Sequence, residues 1–446
     1  MFRTSRLVFP MFITIVMVIT ACGGTTPTAT AVITQPTATE AVAQPTATSA
    51  PEGATIRIGG VGPLSAPGDV VTGIAMQYAM NLAVKDINAQ GGVLGKPLEL
   101  IFGDTEGLPE RGTAVGERLI TNDKVIAIVG EAHSAVGLAE ADVAHKYGIP
   151  ILFSETWSDA ITETGYPEVF RIAPASSMTS TVAVDWEKAL GTKTVLEIAE
   201  NTDYGIGQAA ADKKNFEAAG IKFLDAIFVD LTTTDFQPIL ARIQAMNPAP
   251  TSIHVAVTSA AAYNLEQQMV DMGIAPSAKT VAVASSNAIA PEFWQSVPNG
   301  NYFVFNYIGL PPSLFNDTTK HVADAYRGVF KTEPASYALE AYDSVWIVAD
   351  AIKKAGTTES KALISAIEDT DVVLAQGRYW FKYTSKNPLP ADGSVPAYMW
   401  HQWPDPAVLL IQYFKPKQAW QDAAVIWPPA YQTFKDKPLI PFGTTP

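Results

Sequence analysis

Apolar residues between positions 56 and 284 come in short runs, separated by longer amphipathic stretches. Residues 56–60, 98–102, 125–130 and 150–153 read as strands. Between them, 73–89, 111–121 and 136–146 read as helices. The first of these puts Ile74, Tyr78 and Leu82 on one face and stops at Gly91-Gly92. The run 125–130 is apolar throughout, as in a strand covered on both faces. The rhythm then restarts. Strands are expected at 194–199, 222–229, 252–257 and 280–284, with helices at 207–219, 235–246 and 260–272. Alternation of this kind predicts parallel sheets with right-handed crossovers, an α/β fold. Two successive sets predict two similar lobes. A long helix over 336–354 and an aromatic-rich, strand-like stretch over 377–414 follow.

Parallel sheets hold ligands beyond the carboxyl ends of their strands. The loops at 62–72, 130–135, 154–158, 201–207, 258–262 and 284–288 are therefore the candidate site. They are rich in Gly, Ser, Thr and Tyr, which supply neutral hydrogen bonds, and poor in catalytic residue types.

The N-terminal segment has a different logic. Arg3 and Arg6 precede an apolar run from Leu7 to Ile19, followed by Ile19-Thr20-Ala21-Cys22-Gly23. A basic start, a short apolar stretch and small residues before a cut site describe an export signal over 1–21. A membrane span would take about 20 apolar residues. The pattern before Cys22 resembles the bacterial lipobox, which implies lipidation of that cysteine. Residues 22–53 follow as a tether of Thr, Pro, Ala and Gln, in which Gln35-Pro-Thr-Ala-Thr39 recurs as Gln44-Pro-Thr-Ala-Thr48. It offers too little apolar surface to offset its ordering entropy.

About 390 residues remain, a length that suggests two domains. A single Cys in 446 residues excludes intramolecular disulfides, so the core must hold the fold. The formal charge is −14, and no basic patch is visible, which argues against nucleic acid as a partner.

Several segments together resemble the type I periplasmic binding proteins, specifically the branched-chain amino-acid (leucine/isoleucine/valine-type) substrate-binding proteins of ABC transporters. They are Ile56-Arg-Ile-Gly-Gly-Val-Gly-Pro-Leu-Ser65, Asp86-Ile-Asn-Ala-Gln-Gly-Gly92, Val125–Gly130 followed by Ser134, Tyr204-Gly205, and Ala341-Tyr-Asp-Ser-Val345. The likeness runs from about residue 55 to about 430. It implies two doubly wound parallel-sheet lobes joined by three crossovers near residues 174, 306 and 380. The N-terminal lobe would comprise 54–174 plus 307–380, and the C-terminal lobe 175–306 plus 381–430, with 431–446 as a tail. Ligand would close the cleft between the lobes by hinge motion.

By the same resemblance, Ser134 holds a ligand carboxylate and Tyr204 covers the ligand. Ser65, Ser154, Thr156, Thr258 and Ser286 are further candidate contacts. Each has a plainer reading: Ser134 as a helix cap, Ser65 and Tyr204 as turn residues, and Asp203 as the cap of a helix beginning near Gly207. Glu155 and Trp157 depart from the family pattern. Trp157 offers a flat face for an apolar or cationic group, or wedges the lobes together. Amino-acid binders of the family place a carboxylate near 284–287, where this chain has Ser285, Ser286 and Asn287. Either Asp203 or Glu155 supplies the missing charge, or the ligand is not an α-amino acid.

None of the five histidines, His133, His145, His254, His321 and His401, falls in a metal-ligand motif, and no nucleophile elbow is present. Gly91-Gly-Val-Leu-Gly-Lys96 is one residue short of a phosphate-binding loop. No cofactor, bound metal or enzymatic activity is expected. The expected partners are a small solute, an ABC permease and, through the lipid anchor, the membrane. The expected state is a monomer on the extracytoplasmic side. A sensory role reporting to a membrane receptor is the alternative.

Overall fold

A computed structural model describes residues 55–434, apart from 285 and 291. Its first half repeats strand and helix: β1 (Ile56–Gly62), α1 (Val70–Ala89), β2 (Leu98–Asp104), α2 (Pro109–Thr121), β3 (Ile128–Gly130), α3 (Ser134–Tyr147), β4 (Ile151–Phe153), α4 (Ala160–Glu163) and β5 (Val169–Arg171). The five strands form a parallel sheet in the order β2-β1-β3-β4-β5. The apolar run at 125–130 serves both faces of it. Ala127 and Val129 join one core cluster with Met76, Met80 and Ala83 of α1. Ile128 joins the opposite cluster with Leu119, Ala141 and Phe153. Each fully buried side chain of this size contributes about 1.5–3 kcal/mol. Pairing takes only the last three residues of the expected strand.

The second lobe begins with α5 (Ser176–Leu190). It continues through β6 (Thr194–Glu200), α6 (Asp203–Ala218), β7 (Lys222–Val229), α7 (Gln237–Gln244), β8 (Ser252–Ala256), α8 (Ser259–Asp271), β9 (Val281–Ala284), α9 (Phe293–Ser296) and β10 (Val304–Ile308). The chain then returns to the first lobe with α10 (Asp317–Phe330), α11 (Ser336–Ala355), α12 (Ser360–Glu368) and the hairpin β11 (Asp371–Leu374) to β12 (Gly377–Trp380). Helix α11 packs along α1. Two last strands, β13 (Val408–Gln412) and β14 (Ala424–Trp427), complete the second sheet, whose order is β14-β13-β10-β9-β8-β6-β7.

The core of this sheet, β10-β9-β8-β6-β7, is parallel, and two antiparallel strands extend it at one edge. Strand β13 is antiparallel to β10, and β14 to β13. The chain leaves the second sheet after β10, at Gly309. Residues 381–403 stay against the first lobe. Arg171 N–H donates to the His401 carbonyl, Trp403 N–H donates to the Arg171 carbonyl, and His401 Nε2 lies 3.0 Å from Glu368. The chain thus re-enters the second sheet only at β13, not near 380. The stretch 377–414 holds two short strands, β12 and β13, joined by irregular chain.

The expected signal segment, Cys22 and the tether lie outside the described residues, as does the end of the chain from 435. Among the described residues, no helix is long and apolar enough to cross a membrane.

Candidate functional site between the lobes

Loops that follow parallel strands of the two sheets meet between the lobes, where Trp157 contacts Tyr204. The loop after β1 is drawn tightly over α1. A Cβ on Gly73 would lie 1.7 Å from the Pro63 carbonyl oxygen, so only glycine fits. This places Asp69, which caps α1 by accepting from Thr72 N–H. The backbone N–H of Asp69 donates to His133 Nε2 at 3.1 Å.

After β4, the loop 154–158 is pinned from two sides. Ser134, the first residue of α3, accepts the N–H groups of Trp157 and Ser158 at 3.2 and 3.1 Å. Arg171, fully buried at the end of β5, donates to the Ser158 carbonyl, Gln402 and Thr162. Three hydroxyls near this loop are fully buried and have no protein partner: Ser154 Oγ, Thr156 Oγ1 and Ser176 Oγ. Groups of this kind normally carry a hydrogen bond.

Trp157 meets the other lobe. Its ring lies edge-on to Tyr204 of α6, with centroids 6.3 Å apart. Helix α6 starts at Asp203, four residues before the expected point, because Thr202 caps it by accepting from Gly205 N–H. The expectation that Asp203 caps this helix is thereby corrected. Helix α8 starts at Ser259, whose φ of 60° is a conformation few residues other than glycine adopt. The Ser259 hydroxyl is buried without a partner.

Glu155 stands at the centre of this region. Its carboxyl lies within hydrogen-bond reach of Glu340 on α11 and is influenced by Asp69. Its charge is felt by Tyr337 of α11 and by Tyr204 across the cleft. Tyr263 of α8, which feels Asp69, donates to the Asn287 carbonyl at 3.3 Å. Burial pushes the Glu155 carboxyl up to about 8, against the smaller pull of its bonding to Glu340. Burial, and then the charge of Glu155, raises Glu340 well above the usual carboxylate range. Both oxygens of Glu340 and Oε2 of Glu155 are buried without a hydrogen-bond partner, and two carboxyls can bond to each other only by sharing a proton.

Of the residues singled out from sequence, Ser134, Ser154, Thr156, Trp157 and Tyr204 come together here. Ser65 does not join them. It is exposed and bonds the Asp104 carboxyl. The Thr258 hydroxyl donates to Glu200 at 2.7 Å. Both are thus spent within their own lobe. Ser286 opens a short 3-10 turn after β9, while Ser285 lies outside the described residues. Asn287 donates to both carboxylate oxygens of Glu266 at 3.0 and 3.2 Å. Sequence reading missed Asp69, Tyr263, Tyr337 and Glu340. The last two share a face of α11 with Ser336, a spacing that was visible but unassigned.

A model of the periplasmic binding protein family matches residues 55–389. The chain belongs to this family. An amino acid binding protein of Pseudomonas aeruginosa is 26% identical over 331 residues, covering 72% of this chain and 83% of the relative. A Leu/Ile/Val-binding protein of Rhizobium johnstonii is 25% identical over 323 residues, covering 71% of this chain and 84% of the relative. The isoleucine complex of the branched-chain amino acid transporter substrate binding protein from Streptococcus pneumoniae is 25% identical. It superposes with a TM-score of 0.70 over 84% of this chain and all of the other. A benzoate-bound ABC transporter solute binding protein from R. palustris shares the fold at 18% identity, with a TM-score of 0.68 over 81% of this chain and 93% of the other. As a periplasmic binding protein, the chain is a member of a solute-binding family with an extracytoplasmic location.

Proposed function

We propose that this protein captures a small polar solute between its lobes and delivers it to an ABC permease, held at the membrane by lipidated Cys22. The convergence of Glu155, Trp157 and the buried, unpartnered hydroxyls of Ser154 and Thr156 with Tyr204 of the opposite lobe carries this reading. Hydroxyls withdrawn from water favour a ligand that satisfies them. Relatives and structural neighbours that bind amino acids or aromatic acids support it. Closure about the hinge would complete the site by bringing Tyr204 and Tyr263 over a solute seated on the first lobe. The expected state is a monomer. Thermal unfolding of the purified chain against a panel of amino acids, amides and carboxylates tests the reading. A bound solute at about 100 times its Kd stabilises by roughly 2.7 kcal/mol. Loss of that shift in Tyr204→Ala supports the cleft, and an unchanged shift contradicts it.

A further inference from the structure

His133, the basic side chain beside Asp69, is turned to that residue's backbone N–H, which it accepts at Nε2. Glu340 and Asp69 act on Glu155, Glu155 and Asp343 act on Glu340, and none of the groups acting on either glutamate is basic. Arg171, the fully buried arginine nearby in the fold, turns its guanidinium to Gln402, the Ser158 carbonyl and Thr162. The arrangement is also more than a group of acids. Ser154 and Thr156 flank Glu155, and Ser336 lies one helical turn before Glu340. All three hydroxyls are fully buried and without a protein partner. Aromatic side chains accompany these acids: Trp157 packs against Tyr204 across the cleft, Tyr204 and Tyr337 feel the charge of Glu155, and Tyr337 and Tyr263 feel that of Asp69.

Resting on the solute-capture reading, we infer that the cleft takes a small organic solute of net positive charge, with the Glu155–Glu340 pair as its counter-charge. A carboxylate withdrawn from water is costly unless it is paired. An ammonium or guanidinium group entering between Glu155, Glu340 and Asp69 supplies that pairing. It also faces tyrosine and tryptophan rings, whose negative faces attract cations. The hydroxyls beside the glutamates hold the polar end of the solute. Glu155 stands on the first lobe, so the charge missing after β9 of the second lobe is provided from across the cleft. An anion such as benzoate would meet three carboxyls.

Titration calorimetry of the purified full chain with L-lysine, L-arginine, agmatine, L-leucine and benzoate tests this. At least one of the three cationic probes is expected to bind at least tenfold more tightly than leucine and benzoate. Glu155→Gln is expected to weaken that probe tenfold or more while leaving leucine unchanged or improved. Glu340→Gln, which keeps the packing and the hydrogen bonding, should weaken it in the same direction if Glu155→Gln does not fold. Tighter binding of leucine or benzoate than of every cationic probe would overturn the charge assignment and leave solute capture standing. An unchanged affinity of the cationic probe in both variants would overturn it as well. Binding of no probe at all would overturn the charge assignment, while a thermal shift with an amide or another carboxylate would leave solute capture standing.

Discussion

Glu187 and Asp212 in the second lobe, like Glu155 and Glu340 in the first, are carboxyls taken out of water, but only the former pair flanks a base. His254 on β8 lies between them, with Nε2 at 3.2 Å from Glu187 and Nδ1 at 3.3 Å from Asp212. Burial pulls this imidazole down, but its bonds to Asp212 and Glu187 outweigh that and hold it up at about 9. Ser252 and Thr192 complete the coordination of Glu187, and Gln208 donates to Asp212. Glu197, next to Asp212, is raised well above the usual range by burial and by that neighbour. Ligand atoms of Glu197, Asp212 and His254 lie within 4.8 Å of one another, and the imidazolium already stands in that space as the cation. The second lobe therefore holds its own counter-cation. The cleft does not, and charge balance left open in a binding site is chemistry reserved for a ligand.

The largest effect is expected from removing the resident cation. His254→Ala leaves Glu187 and Asp212 facing each other across a buried gap, a loss of about 3–5 kcal/mol. Denaturant unfolding measures it, and a loss below about 1 kcal/mol would break the comparison. The two clusters should also separate by pH. The His254 contribution is fully present below its unfolded value of 6.5 and is lost as pH rises through about 9. Glu155 is raised from 4.5 to about 8, so the folded state binds its proton more tightly and stability falls as pH rises between those values. Unfolding free energies at pH 5, 7 and 9.5 should show both declines. Glu155→Gln should make the earlier one shallower, the remainder coming from Glu266 and Asp343, which burial raises to about 8 and about 7, and leave the later one in place.

Much of the fold could be read from the chain because its determinants are local. The apolar run at 125–130, the Gly91-Gly92 stop and the strand at 222–229 each depend on neighbours in sequence. Strand β5 escaped because it is three residues long and contains Arg171, an unpromising strand residue. The arginine is tolerated there because Gln402, 231 positions away, takes its Nε–H. The crossover expected near 380 failed for the same reason, since His401 and Gln402 tie the later segment to β5. In the site, the hydroxyl loop and Tyr204 were legible as family landmarks. Glu155 was visible as a departure without a partner. Glu340 was not, because a single Glu in a helix reads as surface until folding buries it against a residue from another part of the chain.

The smallest effect is expected at Glu340 itself. Glu340→Gln should leave the unliganded protein within about 1 kcal/mol of its original stability, or raise it. The amide keeps a donor toward Glu155 without needing a proton. A large loss in thermal unfolding would mean that the carboxyl pair is a structural element like the His254 cluster.

Proton release on binding tests the central claim most directly. The carboxyl pair holds a proton near neutral pH, and a cationic solute should expel it. Calorimetry of the full chain with the tightest cationic probe at pH 7, in two buffers of different ionisation heat, reads the number of protons exchanged. Release of about one proton, abolished in Glu155→Gln, is the result this account predicts. Binding of equal heat in both buffers, unaltered by Glu155→Gln, would contradict it.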